Sequence, residues 1–198
     1  YHKGVEVPEL KKTLPPTKPK KIKPRSKRLF EEGILNEEFD KIKEQIEAGI
    51  NVNKILSTGY TPLTEVITPS LGLQLGIPKP KIMIVKLLLK SGADPNKQSG
   101  AQGCTSLTQA SFYGFFKIVK LLIDCGANIN SSDNTNSTAL MYSTMCKSND
   151  RYKIAEYLLK KGADPNLRES TIGLNAIGGA MRTNDIKMIQ LLKKYGAK

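Results

Sequence analysis

The residues best suited to catalysis or metal binding in this chain are three cysteines and one histidine. Cys104, Cys125 and Cys146 are odd in number and widely spaced, which argues against a disulfide framework and against a zinc site. His2 lies in the N-terminal segment, so a cysteine nucleophile within a folded domain has no histidine base. We therefore expect buried or half-buried free thiols in a reducing compartment.

Motifs for cofactors are also missing. The sequence contains neither a phosphate-binding Gly-x-x-x-x-Gly-Lys-Thr/Ser loop nor the glycine pattern of a dinucleotide-binding fold. It therefore predicts a protein that is not an enzyme, with no catalytic residue, cofactor, metal or small-molecule substrate. No run of about 18 apolar residues exists, so we expect no membrane span. Because the chain starts at Tyr1 rather than Met, we expect an upstream piece.

The strongest charge feature is an N-terminal arm, residues 1–28. It holds ten basic and two acidic residues, so it carries +8 of the net charge of +13. Five prolines favour an extended backbone, and the composition is too polar for the arm to fold alone. The residues predicted to bind an anionic surface are Lys11, Lys12, Lys18, Lys20, Lys21, Lys23, Arg25, Lys27 and Arg28.

Three interpretations of the arm stay open. An extended basic strand is suited to RNA, to a microtubule surface or to an acidic protein groove, because counterion release supplies affinity without sequence reading. The stretch 19–28 also resembles a nuclear-import signal. A solvated tail with no partner is the third interpretation.

The rest of the chain is organised by a repeated closing phrase. It reads Ser-Gly-Ala-Asp-Pro-Asn at 91–96, Cys-Gly-Ala-Asn-Ile-Asn at 125–130, Lys-Gly-Ala-Asp-Pro-Asn at 161–166 and Tyr-Gly-Ala-Lys at 195–198. The glycines are separated by 34, 36 and 34 residues. A fixed period of this length is typical of a stacked repeat protein.

The regular unit at 103–130 predicts two short helices. Thr105 is either the cap or a first-turn residue of the first helix, and Ile118, Leu121 and Leu122 form the buried face of the second. Gly126 then ends the second helix, since a left-handed residue is most favourable as glycine. Two such helices cannot bury an apolar face alone, so the stack must be the folding unit.

These motifs resemble ankyrin repeats: Gly-x-Thr-Pro-Leu at 59–63 together with the Leu-Leu-x-x-Gly-Ala-Asp/Asn phrases. The resemblance implies an all-α solenoid of helix-turn-helix units with short hairpin-like loops, preceded by the extended basic arm. The family's histidine after Thr-Pro-Leu, which normally ties neighbouring repeats together, is replaced by Thr64, Thr108, Met141 and Asn175. The spacing from Leu to Gly-Ala is 19 residues at Leu107–Gly126, 22 at both Leu140–Gly162 and Leu174–Gly196, and 29 at Leu63–Gly92. We interpret the longer spacings as insertions between the two helices.

We predict one repeat domain, residues 29–198, of about five repeats. The boundaries are an acidic capping repeat at 29–56, then 57–100, 101–133, 134–167, and a C-terminal capping repeat at 168–198. The second repeat contains a long loop, 68–81, in which Leu71, Leu73 and Leu75 alternate with other residues. This loop either packs back over the stack or presents a docking surface. In the last repeat, Gly178 and Gly179 either weaken a helix or allow close helix approach.

The resemblance also implies protein binding through hairpin tips and the concave helices. Carried over by position, the contact residues are Ser57, Thr58, Tyr60, Ala101, Gln102, Cys104, Phe112, Tyr113, Asn134, Thr135, Ser137, Met145, Cys146, Arg168, Glu169 and Thr171. Phe112 and Tyr113 are either interface anchors or core residues.

Three functions follow as alternatives. The first is a scaffold or adaptor that binds a protein partner through the repeat stack. The second is an accessory structural subunit of a large anionic assembly, such as a mitochondrial-type ribosome or a ciliary microtubule doublet, anchored by the basic arm. The third is a nuclear regulatory protein. The expected compartment is intracellular and reducing, with the cytoplasm favoured over mitochondrion, cilium and nucleus.

Overall fold

The computed structural model of the protein describes residues 24–68 and 82–198, and their regular structure is α-helical. Ten helices follow in order: α1 Pro24–Leu35, α2 Phe39–Glu47, α3 Pro62–Ile67, α4 Ile82–Lys90, α5 Ser106–Tyr113, α6 Phe116–Asp124, α7 Ala139–Met145, α8 Arg151–Lys160, α9 Ala176–Arg182 and α10 Ile186–Lys194. Successive pairs form repeats one to five. The odd-numbered helices pack against one another in one layer and the even-numbered helices in a second. The predicted all-α solenoid is confirmed.

Hairpins join the repeats and stand beside the odd-numbered layer. Hairpin 1 is residues 48–61, hairpin 2 is 91–105, hairpin 3 is 125–138 and hairpin 4 is 161–175. In the described residues the β-type pairing consists of two isolated bridges, Ser99 with Cys104 and Ser132 with Thr138. The loop predicted at 68–81 lies outside the described residues after Thr68.

The first helix begins earlier than the sequence suggests. α1 starts at Pro24, so residues 24–28 belong to a helix rather than to the extended arm. Proline is well accommodated in the first helical turn, where its missing N–H would have no helical partner. Phe30 and Ile34 on α1 are buried in the core, and this burial holds the helix on the stack.

Equivalent caps start the first helix of repeats two to five. The side-chain oxygens of Thr61, Thr105, Thr138 and Asn175 accept hydrogen bonds from the amides three residues later, at 3.1, 3.3, 3.4 and 3.0 Å. Asn175 is therefore the residue equivalent to the motif threonine, and Ile177, not Leu174, is equivalent to the motif leucine. The spacing Ile177–Gly196 is 19 residues, so the insertion predicted between the helices of repeat five is wrong. The three residues belong to hairpin 4.

Hydroxyl groups replace the motif histidine in the middle of the stack. The Thr64 hydroxyl, at the histidine position of repeat two, lies 3.1 Å from the Ser106 hydroxyl of repeat three. Thr105 and Thr108 form a reciprocal capping box at the start of α5. These buried hydroxyls satisfy one another, so polar groups are tolerated between the first helices of neighbouring repeats.

The closing phrase ends each second helix as predicted. At Gly126 the backbone is left-handed, with φ 89°, and the Ala127 amide donates to the Leu122 carbonyl oxygen at 2.9 Å. This is the Schellman arrangement, which glycine favours because a side chain at such a φ is strained. The predicted face of α6, Ile118, Leu121 and Leu122, is buried. The same arrangement occurs at Gly49, so the phrase 49–53 is a further copy that the sequence analysis missed.

An asparagine at the end of each phrase joins one repeat to the next. The side-chain amides of Asn53, Asn96, Asn130 and Asn166 donate to the carbonyl oxygens of the next closing glycines at 2.8, 3.1, 3.5 and 3.1 Å. Their side-chain oxygens accept from the backbone amides two residues after those glycines at 2.7, 2.7, 2.9 and 2.9 Å. We call this row the asparagine ladder. It ties each hairpin to the next, and it ties hairpin 4 to the turn that follows α10.

Repeats four and five pack closely because Gly179 has no side chain. A Cβ atom at this position would lie 2.9 Å from the Thr144 hydroxyl of α7, which is too close for a normal contact. The glycine therefore allows α9 to approach α7, in line with the second interpretation of the glycine pair.

Candidate protein-binding surface

The hairpin tips form a continuous edge because backbone hydrogen bonds link each tip to the next. The Gly100 amide donates to the Gly59 carbonyl oxygen at 2.8 Å, and the Asn134 amide donates to the Gln102 carbonyl oxygen at 3.0 Å. The Ser170 amide then donates to the Thr135 carbonyl oxygen at 2.8 Å. These hydrogen bonds fix the four tips relative to one another, so the tips form a single surface.

Most predicted contact residues lie on this edge or on the adjoining helices with solvent access. The exposed ones are Ser57, Thr58, Ala101, Gln102, Phe112, Asn134, Thr135, Met145, Arg168 and Thr171. The half-buried ones are Tyr60, Tyr113, Ser137 and Glu169.

The prediction that Cys104 and Cys146 contact a partner is wrong, because both side chains are buried. Cys104 is only 3% exposed and Cys146 is only 2% exposed, so neither side chain can contact a partner. Cys104 lies directly before the cap Thr105, where the hairpin turns inward to start α5. Cys146 lies at the C-terminal cap of α7, where its sulfur accepts from the Ser148 amide.

The cysteines are also unsuited to nucleophilic chemistry. Burial raises the pKa of Cys104, Cys125 and Cys146, and a raised pKa disfavours the reactive thiolate. Within residues 24–68 and 82–198, no group of three or more His, Cys, Asp and Glu side chains could hold a metal ion. Among the described helices, none is long and apolar enough to cross a membrane.

Glu169 is half-buried, and its carboxylate forms hydrogen bonds within hairpin 4. Its carboxylate accepts from the amides of Thr171, Ile172 and Leu174 at 2.7, 2.9 and 3.0 Å. Hydrogen bonding from Thr171 first, then from Leu174 and Ile172, lowers the pKa of Glu169 to about 2. The Glu169 carboxylate thus shapes the hairpin, and it has little capacity left for a partner.

Asp133, which was not among the predicted residues, has the same role in hairpin 3. It accepts from the Ser137 amide at 2.9 Å and from the Thr135 amide at 2.8 Å, and the Tyr142 hydroxyl donates to it at 2.5 Å. Burial alone would raise the pKa of Asp133, but the hydrogen bonds from Tyr142, Thr135 and Ser137 outweigh burial and lower it. Burial, followed by the bond to Asp133, raises the pKa of Tyr142. An Asp at the start of a polar turn was the available sequence signal.

An aromatic group lies behind the hairpin edge on α5 and α7. Phe112 packs edge-to-face on Tyr113 at 5.1 Å and on Tyr142 at 5.7 Å between ring centroids. Phe112 remains 38% exposed, so it packs on its neighbours and still presents apolar surface. The ring packing agrees in part with the core interpretation of Phe112, and its role as an interface anchor stays a prediction.

A groove of about 530 Å³ lies between α7, α9 and hairpin 4, and we call it the α7/α9 groove. The predicted contact residues that line it are Ser137, Met145, Glu169 and Thr171. The other residues that line it were not predicted and are Met141, Thr144, Ile172, Leu174, Asn175, Gly179, Arg182 and Thr183. Met145 is 50% exposed and Ile172 is 65% exposed, so large apolar side chains border the groove.

The predictions that concern the arm and the long loop lie mostly outside the described residues. These are Lys11, Lys12, Lys18, Lys20, Lys21 and Lys23, the side chain of Arg25, and Leu71, Leu73 and Leu75. Lys27 and Arg28 are described and lie exposed on α1. Arg28 pairs with Glu32 at 2.8 Å, one helical turn further on.

Comparison with known proteins finds similarity to proteins that contain ankyrin repeats. Residues 78–169 match the family model of ankyrin repeats in three copies. The chain is 33% identical over 115 residues to the ankyrin repeat and KH domain-containing protein mask-1 of Caenorhabditis elegans. The aligned segment covers 58% of this chain and 4% of that protein. It is 28% identical over 172 residues to a putative ankyrin repeat protein of Acanthamoeba polyphaga mimivirus, covering 85% of this chain and 39% of that protein. It is 34% identical over 92 residues to ankyrin repeat and SAM domain-containing protein 6 of Rattus norvegicus, covering 46% and 9%. This chain therefore spans less than half the length of each of these relatives.

Proposed function

Because the chain is an ankyrin-repeat protein, we propose that it acts as a non-enzymatic scaffold that binds a protein partner at the α7/α9 groove and the adjoining hairpin edge. The observation that carries this proposal is the position of Met145 and Ile172. Both are large apolar side chains, both are at least half exposed, and both border one groove. Clustered exposed apolar surface with a polar rim is typical of protein interaction sites.

The rigidity of the hairpin edge supports the same proposal. Backbone hydrogen bonds join successive tips, and the asparagine ladder joins successive hairpins. Together they hold the surface in one conformation before a partner binds. A preorganised surface loses less conformational entropy on binding than a mobile one, so more of the contact energy appears as affinity.

The test is site-specific photo-crosslinking in cells with the full chain. A benzophenone side chain at position 172 should give a discrete protein adduct, and the same side chain at position 43 on α2 should not. An adduct pattern that is identical from positions 172 and 43 would contradict the proposed site. So would the absence of any adduct from position 172.

A second candidate function rests on the second helices of the repeats. Ten lysines on α4, α6, α8 and α10 or directly after them are exposed: Lys86, Lys90, Lys117, Lys120, Lys153, Lys160, Lys161, Lys187, Lys193 and Lys194. Among the described residues, two of these lysines have carboxylate partners, Lys153 with Asp150 at 2.8 Å and Lys160 with Glu156 at 2.7 Å. Lys120 and Lys161 lie 5.8 and 5.6 Å from the ring centre of Tyr157. We also propose, on this basis, an accessory structural role on a large anionic assembly.

Salt dependence and charge reversal separate this candidate from the first. If the lysine face binds an anionic surface, binding to poly-uridine RNA or to microtubules should weaken steeply with salt and should fall in the triple variant Lys117→Glu, Lys120→Glu, Lys193→Glu. Binding that survives the triple variant but disappears when residues 1–23 are deleted would assign the anionic contact to the arm instead. The predicted role of residues 19–28 as a nuclear-import signal stays a prediction.

A further inference from the structure

The α7/α9 groove contains one cation whose charge the described residues do not neutralise. Arg182 lies in the last turn of α9, it is exposed, and its guanidinium makes no hydrogen bond or ion pair with any other described residue. A guanidinium presents a fork of donors that matches a carboxylate, so an open one at the rim of a groove is a specific feature.

The charged groups that neighbour Arg182 in the groove or in the sequence already have hydrogen-bond or ion-pair partners. Glu169 lines the same groove, but its carboxylate accepts from three backbone amides of hairpin 4. Asp185 accepts from the Tyr152 hydroxyl and the Met188 amide and pairs with Arg151 at 3.0 Å. Arg168, which lies in hairpin 4, donates to the Gly173 carbonyl oxygen at 2.7 Å. The positive charge at the groove therefore belongs to Arg182.

The apolar part of the groove lies one helical turn away on the same face. Gly179 lines the groove without a side chain, and Arg182 follows three residues later, so the two positions face the same way at a separation of roughly 5–6 Å. Met145 and Ile172 line the same groove as Gly179 and Arg182, and both are at least half exposed. In an extended peptide, side chains two residues apart lie on one face about 7 Å apart, which is a similar separation.

We propose that the partner contacts this groove with a short extended segment that carries a large aliphatic or aromatic side chain and, within two residues, an Asp or Glu. The apolar side chain enters above Gly179 between Met145 and Ile172, and the carboxylate pairs with Arg182. This inference rests on the proposed function, because it specifies the partner of the same groove. The unbranched thioether of Met145 can adjust to apolar side chains of different shape. The charge of Arg182 supplies the selectivity.

The probe for this proposal is a random heptapeptide phage library selected on the immobilised full chain. The wild type should enrich peptides with an apolar residue next to an acid, at most two positions apart. The variant Arg182→Glu should reverse the preference and enrich Lys or Arg in place of the acid. Lys43→Glu is the matched control: Lys43 is exposed on α2, outside both the groove and the lysine face, so its variant makes the same change in net charge and should keep the wild-type preference.

An enriched peptide then gives a quantitative readout. Its affinity in fluorescence anisotropy should fall at least about tenfold on Arg182→Glu, because an attractive contact becomes repulsive. Since Arg182 has no partner among the described residues, the thermal midpoint of Arg182→Glu should stay within a few degrees of wild type, which separates lost binding from lost folding.

The outcomes separate this inference from the proposed function. Peptides that require Met145 and Ile172, as tested in the double variant Met145→Ser, Ile172→Ser, but show no acid preference would overturn the partner chemistry alone. Acid preference that is unchanged in Arg182→Glu would do the same. If no enriched peptide depends on Met145 and Ile172, both the inference and the proposed groove are wrong.

Discussion

The side-chain amide of Asn96 donates to the carbonyl oxygen of Gly126 at 3.1 Å, so a residue of one hairpin holds the closing turn of the next repeat. The oxygen of the same side chain accepts from the Asn128 amide at 2.7 Å. One asparagine thus satisfies both an acceptor and a donor that the end of α6 and its turn would otherwise leave to water.

We predict that Asn96→Ala destabilises the stack by about 1–2 kcal/mol, because two hydrogen bonds between repeats are lost at roughly 0.5–1.5 kcal/mol each. Urea unfolding followed by circular dichroism measures this change. Asn149→Ala is the matched control, since Asn149 is exposed in the loop before α8. A loss of stability as small as that of the control would show that the asparagine ladder does not stabilise the fold.

Asp185 joins repeats four and five at a second place. Its carboxylate is 8% exposed, pairs with Arg151 at 3.0 Å and accepts from the Tyr152 hydroxyl at 3.1 Å. We expect Asp185→Ala to cost about 3 kcal/mol, because removing one partner of a largely buried pair leaves the other charge without compensation. Thermal and urea unfolding measure the effect. Asp150→Ala, which removes the more exposed pair with Lys153, should change stability by less than about 1 kcal/mol.

The carboxylate of Glu169 makes the stability of hairpin 4 dependent on pH. Its folded pKa is lowered to about 2 from a usual value of 4.5, so the ionised form stabilises the folded state fully above about pH 4.5. That contribution is lost as the pH falls from about 4.5 towards 2, because the unfolded chain takes up the proton first.

Thermal unfolding of wild type and Glu169→Gln across pH 2–6 checks this prediction. The wild type should be more stable at pH 6, and the difference in melting temperature should shrink towards pH 2. A difference that stays constant over this range would mean that the carboxylate charge has no part in holding the hairpin.

Gly178 and Gly179 should respond in opposite ways to alanine, although they are neighbours in one helix. The Cβ of Gly179→Ala would meet the Thr144 hydroxyl at 2.9 Å, and that hydroxyl is held by its bond to the Met141 carbonyl oxygen at 2.7 Å. We expect a loss of about 1–2 kcal/mol, with recovery in the Thr144→Ala background. The one contact of the Gly178→Ala Cβ below 3.4 Å would be with the flexible end of the Leu174 side chain, so a gain of up to about 1 kcal/mol in helix propensity should dominate. Chemical denaturation measures these differences in Gly178→Ala, Gly179→Ala, Thr144→Ala and the double variant Gly179→Ala, Thr144→Ala. Equal changes in stability at the two glycines would contradict the predicted contact between position 179 and Thr144.

The parts of the fold that follow from the sequence are those in which one residue type has one role. Gly126 and its equivalents predicted where each second helix ends, because left-handed backbone is most favourable for glycine. The start of repeat five was harder to place, because Asn175 caps a helix as well as threonine does and Leu174 matched the motif leucine by chance. A helix cap is defined by its side-chain hydrogen bond, and the residue pattern alone did not show which residue of repeat five forms that bond.

The candidate site was predictable only in outline. Position within the repeat identified Met145 and Thr171, but it also selected Cys104, which faces the interior. Ile172 and Arg182 were missed because their role depends on the three-residue register of repeat five and on the space beside Gly179. Both properties belong to the packing between repeats.

The asparagine ladder contains one backbone amide at each junction whose hydrogen exchange reports whether that junction has opened. The amides of Asp94, Asn128, Asp164 and Lys198 each donate to an asparagine of the preceding hairpin. Their rates of hydrogen exchange should therefore report, one junction at a time, whether two neighbouring repeats remain docked. A partner that clamps the α7/α9 groove would slow exchange at Asp164 and Lys198 more than at Asp94, so the position of binding could be read from the backbone without a label.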